Sequence, residues 1–324
     1  MRKIGTFSIC ALLFAITVTA AEKQKVIFDC DIAGDIDDAF AVALVLTSPE
    51  FDVLGLVMDH GDTGGRAKVA CRMLYETGRE DIPVLVGRHT PSVAGVDKQL
   101  AGPSNQYTWG EGFEKKKPSS ENAAEFIIRN LRKYPGEVIL FTVGPVPNIR
   151  DVLDRDPNVL KLAKRVVSMF GSFYMGYNTG PIPDAEWNVR ADVESAKRFV
   201  AAGANTTFAG LDVTTFVQLG ADERLKLSMR NSPLTDALCG LYTLWQYESY
   251  AQRDPTLFDV VAVAMVLWPD LFTTRKAYVR VIDGGYTVID ESKEPNCEIG
   301  MTVNKQEMIR RVMERYIRQN LGRP

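Results

Sequence analysis

Five aspartates fall within ten residues, in the run Asp29-Cys30-Asp31-Ile32-Ala33-Gly34-Asp35-Ile36-Asp37-Asp38, directly behind the apolar stretch Val26-Ile27-Phe28. Few folds accommodate such a run. A strand apolar through Phe28 has to be buried, so the acids that follow sit at the mouth of a core. Carboxylates a few ångströms apart raise one another's pKa values or need a positive partner. A divalent cation is the compact partner, and carboxylate oxygens suit Ca²⁺ or Mg²⁺, whereas zinc draws more on Cys and His. The chain has two histidines, His60 and His89, which excludes a histidine-rich metal site. The bland alternative is a solvated acidic turn capping a helix, since Asp is favoured at turns and helix N-termini. Five acids behind a buried strand exceed what a cap requires.

Short runs rich in Val, Ile and Leu alternate with amphipathic stretches of helical length, the pattern of an α/β sheet with helices on both faces. Strands are expected at 26–30, 53–59, 83–86, 138–142, 166–170 and 206–211. Helices are expected at 37–46, 65–77, 121–134, 146–153, 193–202, 234–251, 257–267 and 305–319. Residues 277–282 and 286–289 flank Asp283-Gly284-Gly285 and read as a hairpin. In such sheets ligands bind beyond the carboxyl ends of the strands. The polar residues standing there are Asp29 and Asp31, His60 and Asp62, Gly144 and Asn148, and the segment 171–188.

The first residues, Met1-Arg2-Lys3 followed by an apolar run to Val18 and then Thr19-Ala20-Ala21, read as a secretory signal peptide rather than a membrane anchor, because the apolar run is short for a span. An exported chain, periplasmic or secreted, is expected, with residues 22–324 forming one domain and no membrane span in the mature part. Cleavage leaves 36 basic against 41 acidic residues, which gives no basis for nucleic-acid binding. Cys30, Cys71, Cys239 and Cys297 are scattered, and buried thiols are favoured over disulfides.

Four ordered blocks make the pattern specific. They are the opening acids with Ala39-Phe40-Ala41-Val42-Ala43; Thr142-Val143-Gly144-Pro145-Val146-Pro147-Asn148; Met169-Phe170-Gly171 with Asn178, Glu186-Trp187-Asn188 and Asp192; and Phe258-Asp259-Val260-Val261-Ala262-Val263-Ala264. Together they resemble the inosine/uridine nucleoside hydrolase family over nearly the whole mature chain. The resemblance implies a largely parallel, mixed central sheet with a Rossmann-like core, and Ca²⁺-dependent hydrolysis of the N-glycosidic bond of a ribonucleoside to ribose and free base. It implies Ca²⁺ held by Asp31, Asp38, the carbonyl of Val143 and Asp259, with Asp31 as general base on a metal-bound water. It also implies Asp37 on the ribose 2′-hydroxyl, Asn178, Glu186 and Asn188 on the 3′ and 5′ hydroxyls, and Met169 beside the sugar. Asp62 can accept from a ribose hydroxyl or touch the ion. The partner is a small-molecule nucleoside, and the family is often dimeric or tetrameric, so a homo-oligomer is in keeping.

The chain departs from the family pattern in three places. Two additional residues between Asp31 and Asp37 make Asp35 a rival for a metal or ribose role. Asp62 stands where the family has Asn. Phe258 occupies the place of the histidine that many members use as general acid on the leaving base, and a phenyl ring donates no proton. Stacking of the base by aromatic residues is the implied substitute, with Phe258, Trp109, Trp245 and Tyr247 as candidates; Trp187 is a further candidate site residue, and His60, the histidine placed near the site, is a candidate acid. For Glu186 and Asn188 a helix cap, and for Met169 core packing, are the structural alternatives. The loop 106–113 could act as a lid. A phosphohydrolase of the haloacid dehalogenase type also begins with Asp-x-Asp, but Ala33 stands where it needs Thr or Val. A nucleoside- or sugar-binding homologue that keeps the metal site without turnover is the rival outside enzymes.

Overall fold

The computed structural model describes residues 22–90, 105–249 and 254–323. The expected signal peptide and the last two residues of the helix expected at 234–251 lie outside them.

In chain order the elements are β1 (Gln24–Cys30), α1 (Asp37–Leu46), β2 (Phe51–Met58), α2 (Thr63–Glu76), β3 (Val84–Val86), α3 (Tyr107–Gly110), α4 (Ala123–Lys133), β4 (Ile139–Thr142), α5 (Pro147–Arg155), β5 (Arg165–Met169), α6 (Trp187–Ala191), α7 (Val193–Val200), β6 (Thr206–Ala209), α8 (Leu211–Thr214), α9 (Ala221–Arg230), α10 (Pro233–Ser249), α11 (Phe258–Leu267), β7 (Phe272–Ala277), β8 (Val279–Ile282), β9 (Tyr286–Ile289), β10 (Cys297–Val303) and α12 (Lys305–Arg318). Eight strands form a sheet in the order β3-β2-β1-β4-β5-β6-β10-β7. Its pairings are parallel except for the edge pair β10–β7, which is antiparallel.

β1 shows why this sheet is buried on both faces. Val26, Phe28 and Cys30 join the core on one side, with residues of α1, α2, α11 and α12, while Ile27 joins the core on the other, with residues of α4, α5 and α7. Alternate side chains of a strand point to opposite faces, so the unbroken apolar run Val26-Ile27-Phe28 needs cover on both. α1 and α11 are apolar nearly all round, and α1 is buried along its whole length. Helices of that kind belong inside a core, and these two pack against each other.

The chain leaves β1 for β2 and β3 on one side and later returns to β4, β5 and β6 on the other. The strand order therefore reverses between β1 and β4, and the carboxyl ends of these neighbours open the crevice where ligands of such sheets bind.

The expected strands and helices are found within a few residues of their expected bounds. The hairpin is present as β8–β9, but it forms a separate two-stranded sheet. The edge strand β7, its inner neighbour β10 and the helices α3, α6, α8 and α9 were not expected. β7 reads FTTRKA with an exposed, polar middle, and Gly300 interrupts β10, so neither carries an apolar alternation. No helix among the described residues is long and apolar enough to cross a membrane. Cys30, Cys71, Cys239 and Cys297 are free thiols.

Candidate active site

The first turns of α1 and α11 deliver three acids to the crevice. Asp37, Asp38 and Asp259 each offer a carboxylate oxygen such that all three atoms lie within 4.8 Å of one another. All three residues are buried. The Asp259 N–H donates to Asp37 Oδ2 at 3.0 Å, so one acid caps the helix that carries another. The Asp31 N–H donates to Asp38 Oδ1 at 3.0 Å, which ties the turn after β1 to the same group.

Behind them lie Asp29 and Asp59, at the ends of β1 and β2 and without solvent exposure. Asp29 Oδ1 accepts from Asn148 Nδ2 at 2.8 Å, but its Oδ2 and both oxygens of Asp59 have no hydrogen-bond partner. Gly144, after β4, gives these groups room. A β-carbon there would stand 2.5 Å from Asp59 Oδ1 and 2.8 Å from Asp31 Oδ1.

Six acids, Asp29, Asp31, Asp37, Asp38, Asp59 and Asp259, are thus buried together, and among the described residues Arg66 is the one arginine or lysine that is buried. Burial, reinforced by the neighbouring carboxylates, holds Asp37, Asp38, Asp59 and Asp259 well above the ordinary carboxylate range and pushes Asp29 up to about 8. Uncompensated buried charge of this density is costly. A hard divalent cation fits the donors present, since Ca²⁺ takes six to eight oxygens at about 2.3–2.6 Å. The spacing of the Asp37, Asp38 and Asp259 oxygens admits one ion, and the orphaned oxygens of Asp59 and Asp29 show that the protein itself supplies too few donors.

The wall opposite is built by α6 and the loop before it. Glu186 is the N-cap of α6: its Oε1 accepts from the Asn188 N–H at 2.8 Å, and its Oε2 accepts from the N–H groups of Val189 at 3.2 Å and Gly171 at 3.0 Å. Burial raises its pKa to about 7 against these bonds. Asn188 Nδ2 donates to the carbonyls of Val143 at 2.8 Å and Met169 at 3.0 Å and lies 3.4 Å from Met169 Sδ. It therefore holds the ends of β4 and β5 together, with Met169 buried beneath.

Aromatic rings rim this wall. The Tyr177 ring meets Phe258 edge-on at 6.0 Å, and the His60 ring meets Trp187 edge-on at 6.3 Å. The Tyr177 hydroxyl accepts the Trp187 N–H at 2.8 Å and lies 3.5 Å from Glu186 Oε1. His60 is buried with a left-handed backbone (φ 54°), its Nδ1 is 3.1 Å from Thr90 Oγ1, and burial lowers its pKa.

Of the residues expected at a site, Asp31, Asp37, Asp38, Val143, Met169, Glu186, Asn188 and Asp259 are buried, and His60, Trp187 and Phe258 form the aromatic rim. Asp62, Asp35 and Asn178 are exposed. Asp62 caps α2 by accepting from the Gly65 N–H, and Asp35 Oδ1 accepts from the Ile36 N–H. Trp109 packs under Arg72, Trp245 lies in the core, and Tyr247 is exposed. The loop that reads as a lid contains α3, which packs on α2.

Three residues of the site were not singled out from sequence. Asp59 ends a strand just as Asp29 does, and that equivalence is the signal. Arg66 stands in the first turn of α2, where the helix dipole disfavours a cation, and this local conflict marks it. Nothing in the sequence marks Tyr177.

A buried carboxylate cluster with the spacing to hold a metal ion, at the switch point of a doubly covered, mostly parallel sheet, defines the class of this α/β protein. A family model described as inosine-uridine preferring nucleoside hydrolase matches residues 26–310. Uridine nucleosidase 1 of Arabidopsis thaliana is 30% identical over 282 residues, covering 83% of each chain. The pyrimidine-specific ribonucleoside hydrolase RihA of Citrobacter koseri is 29% identical over 309 residues, covering 90% of this chain and 97% of its own. Among solved structures, a plant nucleoside hydrolase, the PpNRh1 enzyme, superposes with a TM-score of 0.79 at 25% identity, covering 92% of this chain and 100% of its own. The chain belongs to the inosine-uridine preferring nucleoside hydrolase family. It is an enzyme that hydrolyses N-glycosidic bonds.

Proposed function

We propose that this enzyme is a Ca²⁺-dependent ribonucleoside hydrolase that releases ribose and a free base. The observation that carries this reading is the buried set Asp37, Asp38 and Asp259 beside Asp31. The names of the relatives, a uridine nucleosidase and a pyrimidine-specific ribonucleoside hydrolase, support a ribonucleoside as substrate.

Asp38 and Asp259 would hold the ion, with Asp31 and the Val143 carbonyl completing the protein's share. When bound, Ca²⁺ supplies positive charge that eases deprotonation of water and anchors ribose hydroxyls. Asp31 is the general base: its carboxylate takes a proton from the water that attacks the anomeric carbon as the bond to the base breaks. The surrounding carboxylates stabilise the oxocarbenium-like charge that develops on the ribose. Asp37 keeps Oδ1 for a ribose hydroxyl while Oδ2 accepts the Asp259 N–H. Asn188 holds the Val143 carbonyl in place from the side. The leaving base meets the rings of Phe258, Tyr177, Trp187 and His60, so it departs from a stacked, largely apolar wall, and no carboxylic acid or charged imidazole is assigned to protonate it. The signal-like start supports export of the mature chain, 22–324, as one domain.

Incubating the purified mature chain with a nucleoside panel and Ca²⁺, and measuring free reducing sugar, tests the reading. We expect ribose release that stops with chelator and is lost in Asp31→Asn. Full activity in Asp31→Asn would move the base assignment to Asp35. Ca²⁺-dependent nucleoside binding with no cleavage across the panel would overturn the reading.

A further inference from the structure

We infer that Arg66 is a positioning residue of this centre, fixing the turn and the carboxylate of Asp31 through the fork of its guanidinium; the inference rests on the hydrolase reading above. Arg66 reaches from α2 into the gap between the loops that follow β1 and β2. Its Nε donates to the His60 carbonyl at 2.8 Å, and its Nη1 donates to the carbonyls of Ile32 at 2.8 Å and of Asp31. Its Nη2 faces Asp31 Oδ2 at 3.6 Å, with both side chains largely buried. One planar group thus binds three main-chain carbonyls from two loops as well as the carboxylate assigned as base.

The loops are shaped around it. Ala33 and His60 both adopt left-handed backbone, at φ 73° and 54°, which non-glycine residues rarely hold without surrounding support. Gly34 lies so close that a β-carbon there would be 3.3 Å from Arg66 Nη1 and 3.2 Å from the Asp31 carbonyl. Lysine cannot replace such a fork, because an ammonium is a point charge without fixed planar geometry.

Charge and shape act in opposite directions here, which makes the inference testable. The guanidinium charge repels a divalent ion near Asp38, whereas the fork holds Asp31 where it can act. A displacement of about 1 Å in a reacting group can cost on the order of a hundredfold in rate.

The test uses the full mature chain, wild type, Arg66→Lys and Arg66→Met, with Ca²⁺ affinity from calorimetry and kcat and KM from ribose release on a nucleoside the wild type cleaves. We expect kcat to fall about tenfold or more in both variants with KM changed by less than about threefold. With kcat taken at saturating Ca²⁺, and because Asp31 is also one of the proposed ligands, Ca²⁺ affinity should fall by a smaller factor than kcat in Arg66→Lys and by less still in Arg66→Met, which removes a repelling charge. Wild-type kcat in either variant overturns the inference. So does a kcat restored to wild type in both variants at saturating Ca²⁺, which would make the whole effect one of lost metal affinity. If Arg66→Met does not fold, Arg66→Lys alone decides between these outcomes. A wild-type chain that cleaves no nucleoside refutes the hydrolase reading and the Arg66 inference with it, whereas normal wild-type turnover with unaffected variants refutes the inference alone.

Discussion

Asn188 illustrates how one side chain can serve structure and site together. Its amide nitrogen donates to two carbonyls, of Val143 and Met169, that lie at the ends of adjacent strands. Asn188→Ala leaves both without that donor and should cost about 1–3 kcal/mol of stability, read from urea unfolding. Asn188→Asp should cost more, since a carboxylate faces two acceptors where an amide donated. Asp59 acts in the opposite sense. Its two oxygens find no donor, so Asp59→Asn should raise the stability of chelator-treated protein at pH 8, again by about 1–3 kcal/mol. A lower melting temperature for Asp59→Asn under those conditions would show that the carboxylate is paired. At this scale sequence was legible where chemistry is concentrated: Asp31, Asp37, Asp38 and Asp259 stand out as acids beside apolar runs. It was illegible where a role depends on contact across the fold, as for Tyr177, whose hydroxyl acts at Trp187 and Glu186.

At the scale of elements, the site is made by where helices begin. α1 and α11 are buried and pack together, so their first turns, and the acids in them, have one place to go. This was readable because an all-apolar helix preceded by acids leaves little choice. Glu186 shows the reverse: the helix cap that the sequence offered as its structural alternative is the role it has, as N-cap of a five-residue helix whose own presence no periodicity announced. β7 and β10 escaped the sequence reading because β7, at the sheet edge, has an exposed, polar middle and β10, inside the sheet, is interrupted by Gly300, so neither has the apolar run that marks β1. The turn after β4 gives the sharpest element-scale prediction. Gly144→Ala places a β-carbon against Asp59 and Asp31, so the β4–α5 turn or both carboxylates must move. We expect it to lower Ca²⁺ affinity and kcat by at least about tenfold while leaving the far-ultraviolet circular dichroism of the folded protein unchanged.

For the whole molecule, the buried acids link stability, protons and metal. Asp29 at about 8, Glu186 at about 7 and the further raised Asp37, Asp38, Asp59 and Asp259 bind protons more tightly folded than unfolded. The unfolded chain then holds fewer protons than the folded one from the ordinary carboxylate range up to these raised values, so metal-free stability falls as pH rises through that window, to about pH 8 for Asp29. Ca²⁺ bound at the proposed site would oppose this by replacing the protons. Its stabilisation should therefore be larger at pH 8 than at pH 6, and binding should release protons, visible as a dependence of calorimetric enthalpy on buffer ionisation heat. At a hundredfold excess over the dissociation constant, Ca²⁺ should stabilise by about 2.7 kcal/mol. The most direct measurement is a Ca²⁺ titration of the chelator-stripped enzyme that follows bound ion and released ribose in the same samples. We expect both to rise together, and both to be lost in Asp38→Asn. Undiminished ribose release from the stripped enzyme would contradict a calcium-dependent centre at Asp37, Asp38 and Asp259.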